Sequence, residues 1–211
     1  MYKQIFLKRG KEESLKRFHP WIFSGAIHHM DEGIEEGETV RVITAAGEFI
    51  AVGHYQIGSI AVRVLSFEDI EINTDFWCER LQSALDVRIG VGIADSPTNN
   101  TYRLVHGEGD YLPGLVIDCY GSTAVMQAHS VGMHVCRNEI CQALVQVMGD
   151  RIANVYYKSE TTLPYKADLH QENGFLVGGD ASNVAMENGL KFHIDWLRGQ
   201  KTGFFVDQRE N

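Results

Sequence analysis

Three stretches of the sequence concentrate side chains that could do chemistry. The first is basic: Lys3, Lys8, Arg9, Lys11, Lys16 and Arg17 fall within the first 17 residues against Glu12 and Glu13 alone, and His19, Trp21 and Phe23 follow at once. Cations that meet phosphates beside rings that stack on bases are what RNA binding requires. Lys8, Arg9, Lys11, Lys16, Arg17, His19 and Trp21 are therefore candidate RNA contacts. The competing reading is a solvated loop and helix face with core aromatics. The acidic segment DEGIEEGE at 31–38 would steer a nucleic acid to one side of this module.

The second stretch is HGEGDYLPGL, residues 106–115, where Glu108 and Asp110 could be offered as paired carboxylates or as a metal site. Its glycines and Pro113 fit a sharp loop before the run GLVIDCY better, and the spacing is not that of a calcium loop. Nor do Gly107 and Gly109 make a dinucleotide fingerprint, because no G-x-G-x-x-G opens a helix here. The third is GQKTGFFVDQREN, residues 199–211, which packs Gln200, Lys201, Thr202, Asp207, Gln208 and Arg209 around Phe204 and Phe205. It is not a phosphate loop, since Asp195 stands where the first glycine of G-x-x-x-x-G-K-[ST] belongs. A segment so polar would more often be a frayed terminus.

No nucleophile constellation emerges. Ser24 in FSGA is no G-x-S-x-G elbow, Ser159 in YKSET has no evident partner, and the nine histidines follow no H-E-x-x-H spacing. Cys78, Cys119, Cys136 and Cys141 contain no C-x-x-C pair and sit among apolar or helical neighbours, which reads as reduced buried thiols rather than a zinc site. Catalytic and metal-binding residues are both expected to be none.

The elements that must position these groups fall into two regimes. With 211 residues, 44% hydrophobic and 22% charged, the chain can bury real cores and is neither disordered nor fibrous. The net charge of −9 argues against a surface that coats nucleic acid uniformly, yet leaves room for a local basic patch. There is no run of the ~20 apolar residues a membrane span needs, and no signal-peptide core, so a cytoplasmic location without membrane contact is expected. Residues 1–73 carry alternating runs (IFLKRG, GETVRVIT, GEFIAVGHY, GSIAVRVLSF) that predict a small all-β barrel or sandwich with one short helix near Ser14 to Phe18. From residue 74 to 196 the pattern is α/β. Thr74 or Asp75 caps a helix using Phe76, Leu81, Leu85, Val87 and Ile89. Strand-like runs RLV, GLVIDCY and TAVMQAH follow, then a helix over 133–149, a strand in RIANVYYK and a hairpin at Asn188-Gly189.

At RFHPWIFSGAI, YRLVHGEGDYLPGLVIDCYG, ENGLKF and GQKTGFFVDQREN the chain resembles the class I SAM-dependent RNA methyltransferases that methylate cytosine C5 in large-subunit ribosomal RNA. The resemblance covers essentially the whole chain and is most specific in the last motif. It implies an α+β fragment. A PUA-like RNA-binding β-barrel (1–73) leads to a central α/β domain (74–196) and a connector (197–211), with the Rossmann-like methyltransferase domain absent from this chain. It further implies that the catalytic Cys and glycine-rich SAM loop lie in that absent domain. Lys201, Thr202, Gly203, Phe205, Asp207, Gln208 and Arg209 are then expected to help line the S-adenosyl-L-methionine pocket. Ribosomal RNA, not DNA, is the expected partner, and the oligomeric state is open, a homodimer included. The chain alone is expected to be inactive, and the alternative is a stand-alone RNA- or protein-binding module.

Overall fold

The computed structural model describes residues 2–164, 169, 172–179 and 182–209. Glu210 and Asn211 of the terminal motif lie outside them. The N-terminal strands are β1 (Gln4–Leu7), β2 (Trp21–Phe23), β3 (Ile27–Met30), β4 (Thr39–Ile43), β5 (Phe49–Tyr55) and β6 (Ile60–Ser66). They form one sheet in the order β2-β6-β5-β4-β1-β3, antiparallel except where β1 meets β4. Laid flat at ~4.8 Å per strand, its edges would stand roughly 24 Å apart. Those edges, β2 and β3, are joined by Ser24–Ala26 alone, a link that reaches roughly 14 Å. The sheet therefore curls into a half-barrel around Ile5, Leu7, Ile22, Val40, Val42 and Val62.

Alternation in TVRVI and IAVRVLS becomes β4 and β6, and the short helix forms at Leu15–Arg17 with Leu15 buried. WIF and IHHM carried no such pattern. Each pairs with a single neighbour at a sheet edge, where a strand needs little sequence support of its own.

The second unit holds α1 (Thr74–Gly90), β7 (Thr101–His106), β8 (Leu115–Tyr120), β9 (Thr123–Ala128), α2 (Val131–Val135), α3 (Arg137–Met148), β10 (Asn154–Tyr157), β11 (Gly174–Val177), β12 (Val184–Glu187) and β13 (Leu190–His193). Its main sheet runs β11-β10-β9-β8-β7. One face packs on α1 and α3 through Trp77, Leu81, Leu104, Ile117 and Leu144. The opposite face, through Tyr120, Val125 and Tyr156, is covered by Ala185, Ile194 and Trp196 of the hairpin layer together with Phe204 and Val206. All six residues of β9 are consequently buried.

Three expectations need correction. Asn73, not Thr74 or Asp75, caps α1: its side-chain oxygen accepts from the Phe76 N–H at 3.0 Å, and Asp75 falls in the first turn, where the helix dipole favours it. Adjacent Asn, Thr and Asp are comparable caps, so composition could not choose among them. Val87 and Ile89, assigned to the buried face, are exposed near the end of α1. The helix expected over 133–149 is two helices broken at Cys136. The Asn188-Gly189 turn forms as expected, with φ of 51° and 79°.

The two units interlock. The imidazole of His54 on β5 is buried against Gly132 of α2, where an added Cβ would lie 2.2 Å from its Cγ. Cys136 Sγ sits 3.7 Å from His54 Nε2. Tyr2 Oη accepts from the Ile72 N–H at 2.8 Å, tying β1's approach to the segment before α1.

Candidate nucleic-acid interface and connector site

The basic residues of the N-terminal unit are held at its surface. Lys8 donates to the Gly25 carbonyl at 2.9 Å, and Lys16 pairs with Glu13 at 2.8 Å. Arg9, Lys11 and Arg17 make no side-chain hydrogen bond or ion pair among the described residues and are exposed. Lys8 and Arg9 border a groove of about 640 Å³ that also takes in Phe6, His28, His29 and Ala45. His19 and Trp21 lie elsewhere on the same unit, at its seam with the second unit. Their rings meet edge-on at 5.9 Å, and the Trp21 indole N–H donates to Glu108 at 2.9 Å.

That bond settles the placement of the 106–115 loop. Asp110 accepts from both terminal nitrogens of Arg88, one of them at 2.8 Å, and from the His106 N–H at 2.6 Å, so it pins the loop to α1. Glu108 is exposed and faces the barrel. The two carboxylates point to different partners rather than to a shared proton or metal. Ser159, partnerless in the sequence, caps the end of β9: its hydroxyl accepts from the buried Ala128 N–H at 2.8 Å.

The connector lies against the hairpin-side face of the central sheet. Asp118 on β8 is fully buried and accepts two bonds from Arg103 on β7, at 2.8 and 2.9 Å. Thr202, itself buried, donates to Asp118 at 2.6 Å and meets the Tyr120 hydroxyl at 2.8 Å. Asp118 raises the pKa of the Arg103 guanidinium, and burial together with Asp118 raises that of Tyr120. Gln127 and Lys158 donate to the carbonyls of Lys201 and Gly199, at 3.2 and 2.6 Å. Gly203 has φ of +120° and passes so close to Trp196 that a Cβ would lie 2.8 Å from its Cα. No other residue fits there. Arg209 donates to Glu187 at 3.1 Å and to the Thr101 carbonyl.

Thr202, Gly203 and Arg209 thus fasten the segment. Lys201, Phe205, Asp207 and Gln208 lie on its outer side: Phe205 is 43% exposed with the Lys201 ammonium 4.7 Å from its ring centre. The Gln208 amide holds the Asp207 carboxyl below its ordinary range. Arg88, Arg103, His106, Asp207 and Arg209 line an open cleft of about 500 Å³. The sequence reading passed over Arg88 and Arg103. For Arg103 and Asp118 there was a signal: a charge inside an otherwise apolar strand is rarely buried unless it is paired.

The thiols are poor nucleophiles. Burial pushes Cys119 and Cys136 up to about 12 and Cys141 up to about 11, and it also raises Cys78. Thiolate, the reactive form, is scarce at such values. Among the described residues no cluster of three or more His, Cys, Asp or Glu side chains could hold a metal, and no helix is long and apolar enough to cross a membrane.

Comparison with known proteins agrees with this layout. Residues 5–67 match the family model of a PUA-like domain. The whole chain aligns at 40% identity over 214 residues with the ribosomal RNA large subunit methyltransferase I of Vibrio parahaemolyticus, and at 37% with that of Aliivibrio fischeri. In both cases it spans 53% of the relative's length. Among solved structures, a candidate SAM-dependent methyltransferase from Streptococcus mutans superposes with a TM-score of 0.78 at 23% identity, covering 98% of this chain and 52% of that one. SMU.776, a candidate methyltransferase complexed with SAH, gives 0.78 at 22% identity, covering 98% and 51%. At those identities the likeness is one of fold. The chain carries a PUA-like domain at residues 5–67 and is, along its full length, a homologue of about half of each of these two relatives named ribosomal RNA large subunit methyltransferase I.

Proposed function

We propose that this chain is the RNA-recognition portion of a SAM-dependent ribosomal RNA methyltransferase that acts in the cytoplasm. The observation that carries the reading is the full-length likeness to proteins named for that activity. The exposed cations Lys8, Arg9, Lys11, Lys16 and Arg17 support it, because they stand on the PUA-like unit with few internal partners. Phosphate contacts of this kind hold an RNA without reading its sequence.

The family resemblance points to cytosine C5 as the methylated atom. That carbon is a poor nucleophile, and a thiolate added at C6 would activate it. Burial raises the thiols of Cys78, Cys119, Cys136 and Cys141, which suits none of them to that step, and the resemblance implies that the nucleophile lies in a methyltransferase domain. For S-adenosyl-L-methionine, which supplies an electrophilic methyl group when bound, the outer side of the connector fits as one wall. Asp207 and Gln208 offer an acceptor and an amide, and Phe205 offers a ring face. Thr202, Gly203 and Arg209 keep that wall in place. A single wall leaves a ligand wet, so the chain alone is expected to bind SAM weakly and to transfer no methyl group.

Titration of labelled ribosomal RNA hairpins at several salt concentrations tests the reading. Affinity should fall with salt, the slope of log affinity against log salt shrinking by ~0.7 to 0.9 for each phosphate contact removed by mutation. Affinity indifferent to salt would overturn it.

A further inference from the structure

Between the barrel and the central domain lies a cleft of about 220 Å³, lined by Arg63 of β6, His106, Glu108, Leu115 and His129. It is smaller than the ~300 Å³ or more of ordinary ligand pockets, which suits one flat ring or one small anion. Trp21 and Arg63 are register partners on β2 and β6. Directly opposed residues of antiparallel strands project to the same side, with Cβ atoms ~5 Å apart. The Trp21 indole reaches across the seam to Glu108. A guanidinium, a carboxylate and an aromatic edge therefore meet at one place, contributed by both domains.

Their hydrogen-bonding capacity is largely unfilled. Among the described residues Arg63 makes one side-chain hydrogen bond, from Nη1 to Gln56 at 3.0 Å, out of the five donors a guanidinium carries. Burial lowers the Arg63 pKa and the Glu108 carboxylate raises it again, which places the two charges within electrostatic reach. Glu108 receives Trp21 on Oε1, leaving Oε2 open. Trp21, His19 and Phe23 form a ring cluster beside the cleft, with Trp21 and Phe23 centroids 6.5 Å apart.

We infer that this seam is a binding site for a single unstacked guanine of the RNA, with the Glu108 carboxylate accepting from N1–H and N2–H, Arg63 donating to O6, and Trp21 beside the ring. Guanine is the base whose edge sets two donors next to an acceptor, which is the complement of a carboxylate next to a guanidinium. An isolated phosphate would suit Arg63 and be repelled by Glu108. A base exposed in a loop is what proteins read in RNA, since A-form grooves hide base edges. The inference rests on the RNA-recognition reading above and adds to it a base-specific contact between the domains. It also gives the Glu108 loop a role distinct from that of Asp110, which is committed to Arg88.

The test uses the 211-residue chain and three RNA hairpins identical except for one loop base: guanine, inosine or adenine. Binding is read by anisotropy of the RNA and by quenching of Trp21, Trp77 and Trp196 being buried. The guanine hairpin should bind roughly tenfold tighter than the adenine one, with inosine, which lacks the N2 amine, between them. Glu108→Gln and Arg63→Met should each erase the preference while leaving the salt slope, set by phosphate contacts elsewhere, unchanged. Glu108→Gln keeps an acceptor for Trp21, so a melting midpoint near wild type is expected. Equal affinity for the three hairpins in the unmutated chain, or a preference that survives both substitutions, overturns the guanine site while salt-dependent binding leaves RNA recognition standing. Failure to bind any of the three at low salt overturns the RNA reading and the guanine site with it.

Discussion

The basic edge of the N-terminal unit and the C-terminal connector look alike as sequence, each a dense run of polar groups around aromatics, yet they are opposites in the fold. At the barrel edge, Arg9, Lys11 and Arg17 make no side-chain bond among the described residues. In the connector, Thr202 and Arg209 are tied to Asp118, Tyr120, Glu187 and Thr101, and the backbone at Lys201 and Gly199 is held by Gln127 and Lys158. Polar density does not reveal role. What separates the two runs is the surface beneath each: the connector crosses the face of a sheet whose inward-pointing residues include a buried acid, whereas the basic run skirts a half-barrel whose apolar side chains turn inward.

The contrast can be broken at its most buried point. Asp118→Ala would leave Arg103 and Thr202 without their shared carboxylate, and losing one partner of a buried pair costs about 3–5 kcal/mol. At ~2–4 °C per kcal/mol for a chain of this size, the melting midpoint should drop by about 6–20 °C. A midpoint within a degree or two of wild type would show that the connector is not anchored there.

The seam between the two units should respond to pH. Burial lowers the His54 pKa to about 4, with Arg63 adding to the effect, against an ordinary value of 6.5. The unfolded chain thus binds more protons than the folded one between those values, so stability is full above pH ~6.5 and falls as the pH drops toward 4, by up to about 3 kcal/mol. Urea midpoints measured at pH 7.5 and pH 5 should differ in wild type and lie closer together in His54→Phe, with His129 and His134, which burial also lowers, keeping part of the difference. A midpoint that rises on acidification contradicts this.

A smaller effect is expected from Gly132→Ala. In a free helix the change would stabilise by up to ~1 kcal/mol. Here the new methyl would meet His54 at 2.2 Å, and overpacking costs about 1–3 kcal/mol, so the sign should invert. Stabilisation by this substitution would mean that the two units do not pack as described.

The smallest stability effect should come from Asp207→Ala and Gln208→Ala, both on the outer side of the connector. A shift within about 0.5 kcal/mol is expected, as for surface sites generally. In a protein carrying the full length of the relatives, the same two variants should lower methyl transfer far more than they lower the melting midpoint. Early melting, or methylation at the wild-type rate, would make Asp207 and Gln208 structural instead.

Much of the fold was legible in the sequence because period-two and helical patterns report a single buried face. That is why β4 and β6 were found, whereas β8 and β9, buried on both faces, showed instead as short apolar runs, and Asn188-Gly189 marked its hairpin. The edge strands β2 and β3 escaped because three or four residues cannot show a period. The break at Cys136 escaped because α2 and α3 together keep an apolar stripe that a continuous helix would also show. For the candidate sites, residue types were informative and assignments were not. Thr202 and Gly203 were legible as unusual, yet only the sheet beneath them shows that they also fasten the segment. Arg63 carried no mark in AVRVL, since its meaning comes from Trp21 across the strand pair and Glu108 across the seam.

The basic edge is expected to carry most of the RNA affinity, while the polar groups under the connector hold structure. A paired measurement tests it most directly: hairpin affinity and thermal midpoint for Lys8/Arg9/Lys16/Arg17→Ala beside those for Thr202→Ala. The fourfold variant should lose most of its ribosomal RNA affinity at low salt and melt with wild type, while Thr202→Ala should melt early and, well below its midpoint, bind the RNA as wild type does. RNA binding that survives the fourfold change, with Thr202→Ala as stable as wild type, would contradict it.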